Sequence, residues 1–310
     1  MKKSILLFGI LGILVIIACS NIKANDSSIT EEKNISENID PVKDLSEDFK
    51  KYWYAGEAEI TSYQLEQARY GQIRQGKAVL IYVTEDFLKK EQVKADRQHT
   101  DNIPVLKLNA TKKFNTGIYP YSIMQSTFYP VKDNQHAIKI SSSMQEWCGH
   151  VYAQLNNRTK FEVMSHSYFE GEADQEFTID KAILENELWT KIRINPDNLP
   201  KGNINIIPSF EYSRLRHKEI KAYSAKASIE KQNNTRIYTI EYPELKRTIS
   251  ITFGNSFPYE IQGWKETFRS GFGPNAKELT TKATKIKQIK SAYWGKNSNA
   301  DEALRDELGL

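Results

Sequence analysis

Beyond residue 50 the chain runs in short stretches where apolar and polar residues alternate, each closed by Gly, Asn or Pro. Alternation sends successive side chains to opposite faces, which marks half-buried strands. The pattern predicts strands at GEAEITSYQLEQA, GKAVLIYVTEDF, PVLKLNATKKF, YSIMQSTFYPV and HAIKISSSMQEWCGHVYAQL. It continues through KFEVMSHSYFE, NINIIPSFEYS, KAYSAKASIEK, RIYTIEYPE, RTISITFG and YEIQGWKETF. Asparagine tolerates the positive φ of tight turns, so QLNNRTKF and EKQNNTRI read as hairpins, and YPELKRT and FGNSFPY as further turns.

One stretch follows a helical period. TIDKAILENELWTKIRINP spaces Leu184, Leu188 and Ile192 four apart, with Asp180 as a predicted N-cap and Pro196 as a stop. Segment 277–294 mixes both signals and its threonines favour a strand. The fold class expected is mainly β (α+β), a curved antiparallel sheet or half-barrel with one packed helix.

The first residues obey a different rule. MKKSILLFGILGILVIIACSN has a basic start, an apolar run and then Cys19, as in a secretory signal too short to span a membrane comfortably. Ile16-Ile17-Ala18-Cys19 resembles the lipobox of bacterial lipoproteins, which implies cleavage before Cys19 and acylation there, palmitate-type chains included. Residues 20–48 are polar, rich in Asn, Ser and Glu, and free of aromatics, a composition that cannot bury a core. The predicted organisation is a signal peptide at 1–18, lipidated Cys19 and a tether at 19–48, a β-rich domain at 49–295, and a polar tail at 296–310 expected to fray. Ser20 and Asn21 are not the aspartate that retains some lipoproteins in the inner membrane, so an outer-membrane location is expected.

Composition sharpens this only slightly. The formal net charge is +4, and Lys2 and Lys3 belong to the signal, so the body offers no electrostatic footprint for nucleic acid. With Cys19 committed to lipid, Cys148 has no partner for an intrachain disulfide.

Several stretches, YWYAGEAEITSYQLEQARYG, GKAVLIYVTEDFL, GIYPYSIMQSTFYPV, SHSYFEGEADQ and SGFGPNAKELTTKAT, resemble a family of Gram-negative envelope lipoproteins commonly labelled "septum formation inhibitor Maf". The resemblance implies envelope residence. The Ser-x-Ser-Pro-Arg loop of Maf nucleotide pyrophosphatases has no counterpart here, and no Gly-rich phosphate loop replaces it. The later hairpins, ending in FPYEIQGWKETF, resemble the half-barrels of lipoprotein carriers, which implies a concave apolar face able to hold a lipid.

Candidate chemistry centres on SMQEWCGHVYAQL. As one strand it puts Glu146, Cys148 and His150 on one face, with the Cys148 and His150 Cα atoms roughly 6.6 Å apart. A loop at 157–159 would set His150 opposite His166 and Cys148 opposite Tyr168. A loop at 157–158 would set His150 opposite Ser165 and His166 opposite Gly149. Cys148, His150, His166 and Glu146 in one patch would suit a metal or nucleophilic site. The ordinary reading is a buried, packed thiol, since cysteine is among the most buried residues.

The carboxylates Glu170, Glu172, Asp174 and Glu176 alternate but lack the glycine and final acid of a calcium loop, so they read as solvated. The basic run 214–221, RLRHKEIK, reads as a solvated turn or a contact for membrane phosphates. Phe272 sits in a loop at 270–278, read as a surface loop or a lip over a cavity. No cofactor or metal is called for. The function expected is a non-catalytic envelope binding or carrier module for an apolar ligand. The alternatives are a Cys/His-centred enzyme or metal protein, or a structural accessory subunit.

Overall fold

The computed structural model describes residues 45–310. The signal peptide, Cys19 and the tether up to residue 44 lie outside the described residues.

The chain first forms helix α1, Glu47–Trp53. The Ser46 side chain caps it by accepting from the Phe49 N–H at 3.2 Å, and Phe49 and Trp53, one turn apart, are buried. Strands follow as β1 (Ala58–Arg69), β2 (Gln72–Leu88), β3 (Val93–Lys94), β4 (Asn102–Thr116), β5 (Tyr119–Pro130), β6 (Lys139–Glu146), β7 (Gly149–Asn157), β8 (Phe161–Ser167) and β9 (Gln175–Ile179). After β10 (Ile183–Leu184) comes helix α2 (Glu185–Ile194), then β11 (Gly202–Ile207) and helix α3 (Phe210–Leu215). The remainder is β12 (Tyr223–Gln232), β13 (Thr235–Tyr242), β14 (Arg247–Gly254), β15 (Ile261–Ser270), β16 (Lys277–Ser291) and helix α4 (Ala303–Glu307).

The strands form one sheet in the order β10-β11-β12-β13-β14-β15-β16-β1-β2-β4-β5-β6-β7-β8-β9, with β3 paired to β2. All pairs are antiparallel except β10 with β11. The sheet is a meander broken at two places. β1 joins β16 across the chain's two ends, and β9 and β10 are its free edges although only three residues separate them in sequence.

Helix α2 is enclosed by this curled sheet. Leu188 and Ile192 pack in a cluster with Tyr63, Tyr82, Ile123 and Tyr238, which come from strands far apart in the sheet order. Burying each of these aliphatics contributes roughly 1.5–3 kcal/mol. The helix is buried nearly all round, so its polar residues need partners from the sheet. Arg193 makes a two-pronged pair with Glu59 of β1, both contacts at 2.6 Å. Glu185 meets Arg247 of β14, and Asn186 donates to Gln125 of β5 at 3.0 Å. Lys191 reaches Asp133 at 2.6 Å.

Most predicted strands are present, and the antiparallel, β-rich class holds. The single packed helix is corrected to four α-helices among the described residues, of which α2 is the enclosed one. Asp180 does not cap α2. The chain is extended through Leu184, whose N–H is accepted by Glu187 at 3.2 Å. NINIIPSFEYS is β11 followed by α3, because the Ser209 side chain accepts from the Tyr212 N–H and starts a helix. The stretch 143–155 is two strands, not one. The chain after residue 295 does not fray: the Ser62 hydroxyl donates to the Leu308 carbonyl at 2.5 Å, and Leu308 packs against Ala58, Ile60 and Val83. No helix among the described residues is long and apolar enough to cross a membrane.

The registers sort the connections onto two ends. The turns β1–β2, β4–β5, β6–β7, β8–β9 and β15–β16 share one end, here called the hairpin end. The pairing of Ala58 with Ser291 puts α1, and the point where the chain enters the sheet, at the other.

Candidate ligand-binding site

The enclosed space is largely filled. Beside α2 a small cavity of about 60 Å³ remains, room for a few waters and not for a lipid. Its walls mix apolar side chains, Leu80, Leu108 and Trp264 among them, with buried charges. Lys112 pairs with Glu211 at 2.7 Å, and Arg247 with Glu266 at 2.6 Å. Burial raises the Glu211 carboxyl above the usual range against the opposing charge of Lys112. Burial also opposes ionisation of Glu185, but Arg247 and the Tyr242 hydroxyl outweigh it and hold Glu185 below 4.5. The concave apolar face expected from the carrier resemblance is therefore occupied by a helix and its counter-charges.

The larger space lies at the hairpin end, where alternation along the last strands sends apolar groups to one side. Val151 and Ala153 of β7 and Phe177 of β9 face Phe210 of α3 and Ile220 across a cavity of about 670 Å³. That lies within the roughly 300–1,000 Å³ typical of ligand pockets. The floor is a satellite core containing Leu155, Phe161, Val163, Leu184 and Ile207.

One rim of this cavity is charged and built by two loops. In the β8–β9 loop the Ser167 hydroxyl donates to Glu172 Oε2 at 2.7 Å and accepts from the Phe169 N–H, which fixes the carboxylate. Glu172 Oε1 takes His217 Nδ1 at 2.6 Å. A carboxylate can only accept, so Nδ1 carries the proton. Arg214 stacks its guanidinium 4.2 Å over the Phe169 ring and reaches Glu172 only at 3.4 Å. Burial lowers its pKa; the Glu172 charge opposes the shift and the Arg69 charge adds to it.

The hairpin end also exposes apolar groups. Ile118, Trp147, Tyr168 and Phe272 occupy the tips of four turns and are 66–82% exposed. Trp147 lies 6.4 Å from Tyr119, and Tyr168 covers Gly149, whose missing side chain leaves room for the ring.

The predicted Cys/His constellation does not form. Trp147 and Cys148 are the turn between β6 and β7, so Cys148 is exposed, not buried. The Glu146 carboxylate beside it raises the thiol pKa, and Glu146 accepts the Cys148 N–H at 2.8 Å. The β7–β8 loop is 158–160, starting one residue later than either predicted loop, and Tyr152 faces His166. His150 pairs with Gln145, and His166 meets Asp174 at 3.2 Å. Among the described residues no group of three or more His, Cys, Asp or Glu is placed to hold a metal. The residues that sequence reasoning set aside as solvated, Glu172 and the 214–221 run, are instead joined at the cavity rim. Their opposite charges were the available signal.

No protein-family description matches the chain, and no curated protein matches it. Among solved structures it is similar to the crystal structure of a β-barrel-like protein of domain of unknown function DUF1849 from Brucella abortus. Identity is 8% and the TM-score 0.46, over 76% of this chain and 98% of that one.

Proposed function

We propose that this chain is an envelope lipoprotein, anchored through acyl groups on Cys19, whose body binds an apolar or amphipathic ligand without catalysis. The observation that carries the reading is the cavity of about 670 Å³ between β7–β9 and α3, apolar in its depth and charged at its rim. The anchor rests on the lipobox-like residues 16–19, the outer-membrane location on Ser20 and Asn21, and membership of the Maf-labelled lipoprotein family on the stretches quoted above.

The test is native mass spectrometry of protein purified gently from its membrane. A bound apolar species is expected, and Gly171→Trp should expel it. Gly171 lines the cavity, and a Cβ there meets nothing within 4 Å, so the backbone leaves room for a side chain to begin. Protein that repeatedly carries nothing ends the reading. Cys19→Ala tests the anchor separately, through fatty-acid incorporation and membrane fractionation.

A second reading, an accessory subunit of an envelope complex, is favoured by the exposed Ile118, Trp147, Tyr168 and Phe272. Crosslinking in cells from those tips separates the two, because only the subunit yields a stable protein adduct.

A further inference from the structure

The buried polar groups left unpaired around the α3 cavity can all donate. Arg214 has five N–H groups but makes only one long contact, from Nη1 to Glu172 Oε1 at 3.4 Å; His217 Nδ1 lies as far away but carries a proton and cannot accept. Among the described residues its buried Nε has no partner and Nη2 makes no hydrogen bond. The Ser213 hydroxyl, on a residue 2% exposed that also lines the cavity, has none either. Of the acceptors nearby, Glu170 faces solvent and the other two carboxylates are paired. Glu172 has both oxygens engaged, and Glu219 is paired with Lys221 at 2.9 Å. Arg69, whose positive charge acts on Arg214, has no carboxylate within ion-pair range among the described residues and donates to the Leu215 carbonyl and two tyrosine hydroxyls.

Buried donors without acceptors are costly, and a guanidinium accepts no hydrogen bond itself. What completes such a site is an anion with oxygen acceptors, for which the planar fork of arginine is suited. Behind Arg214 the walls turn apolar at Val151, Ala153, Phe177, Phe210 and Ile220. We propose that the cavity takes a single-chain amphiphile with an anionic carboxylate or phosphate head, the head on Arg214 and Ser213 and the chain along this apolar wall. The inference rests on the binding reading above and narrows it to one ligand chemistry.

Full-length protein in lipid nanodiscs is titrated calorimetrically with dodecanoate, dodecyl phosphate, dodecanol and dodecyltrimethylammonium, with empty nanodiscs subtracted. The two anions are expected to bind at least about tenfold tighter than the other two probes, in keeping with a charged hydrogen bond. The stronger of the two identifies a carboxylate or a phosphate head. Arg214→Gln is expected to weaken the anions by about tenfold to a hundredfold and leave dodecanol unchanged, and Arg214→Lys to retain part of the affinity. Ser213→Ala gives a second, smaller change should Arg214→Gln fail to fold.

Equal binding of dodecanol or dodecyltrimethylammonium overturns the inference, as does full anion affinity in Arg214→Gln. In either case binding that Gly171→Trp still abolishes leaves the cavity reading intact. If none of the four probes binds, both fall.

Discussion

If α2 is held inside the sheet through paired charges, removing one partner should cost far more than an exposed ion pair would. Glu59→Gln is the sharpest perturbation. Glu59 and Arg193 are 0% and 1% exposed, joined by two contacts of 2.6 Å, and the guanidinium lies 4.8 Å from the Tyr82 ring and 5.0 Å from Trp53. Tyr52 adds a donor to Glu59 at 2.5 Å. Burial alone would push Arg193 toward its neutral form, yet Glu59 outweighs it and raises the pKa above the ordinary arginine value. Glutamine keeps the shape, removes the charge and turns an NH₂ toward a guanidinium that can only donate. Breaking a buried pair on one side costs about 3–5 kcal/mol, a large share of a typical total of about 5–15. Urea unfolding followed by tryptophan fluorescence, with buried Trp53 beside the pair, should show the midpoint falling by about 1 M or more. Replacing both partners, as Glu59→Leu with Arg193→Met, should lose much less, because no charge is left uncompensated. A Glu59→Gln protein within about 0.5 kcal/mol of the parent would refute the claim that this pair holds the helix.

Three further outcomes test other parts of the structure. Arg247 and Tyr242 hold the Glu185 carboxyl below its ordinary range, so its contribution is complete above the unfolded value and is lost as pH falls through the folded one; the stability gap between parent and Glu185→Gln should therefore narrow as pH drops below the unfolded value of about 4.3. Native protein should label at Cys148 with a maleimide, and Glu146→Gln should speed the reaction by lowering the thiol pKa; a thiol that reacts only after unfolding would contradict its exposed turn position. Trp147→Ala should change stability by less than about 0.5 kcal/mol, since the residue is exposed, while weakening any membrane or partner adduct formed at the hairpin end; a large loss of stability would show that the tip is packed.

The sheet was legible because strand burial repeats every two residues and most turns carry Asn, Gly or Pro. The misreadings occurred where that link failed. Trp147-Cys148 is no recognised turn signature and both residues are apolar, so two strands read as one and the parity of the residues in β7 came out inverted. Strand β9 is short, and its polar neighbours resemble a solvated loop. Helix α3 has six residues, too few for a helical period to outweigh the β-like IIPSFEY around it. The rim of the cavity failed for another reason. Glu172 and Arg214 are separated by 42 positions, and only the curl of the sheet brings their runs together. Each run alone satisfies the ordinary expectation of a solvated charge cluster.

The location of the cavity follows from how the sheet encloses its helix. A helix buried on nearly every side cannot be purely amphipathic, and the polar residues on α2 draw Glu59, Gln125, Asp133 and Arg247 toward them. Those side chains consume the interior, so a ligand cannot be held at the centre without breaking buried pairs. Space is left beside the free edge at β9, between β7–β9 and α3 with the residues that follow it. There no ladder hydrogen bonds bind the two sides, and α3 with residues 216–220 bridges the gap through side chains and one carboxylate held from both loops.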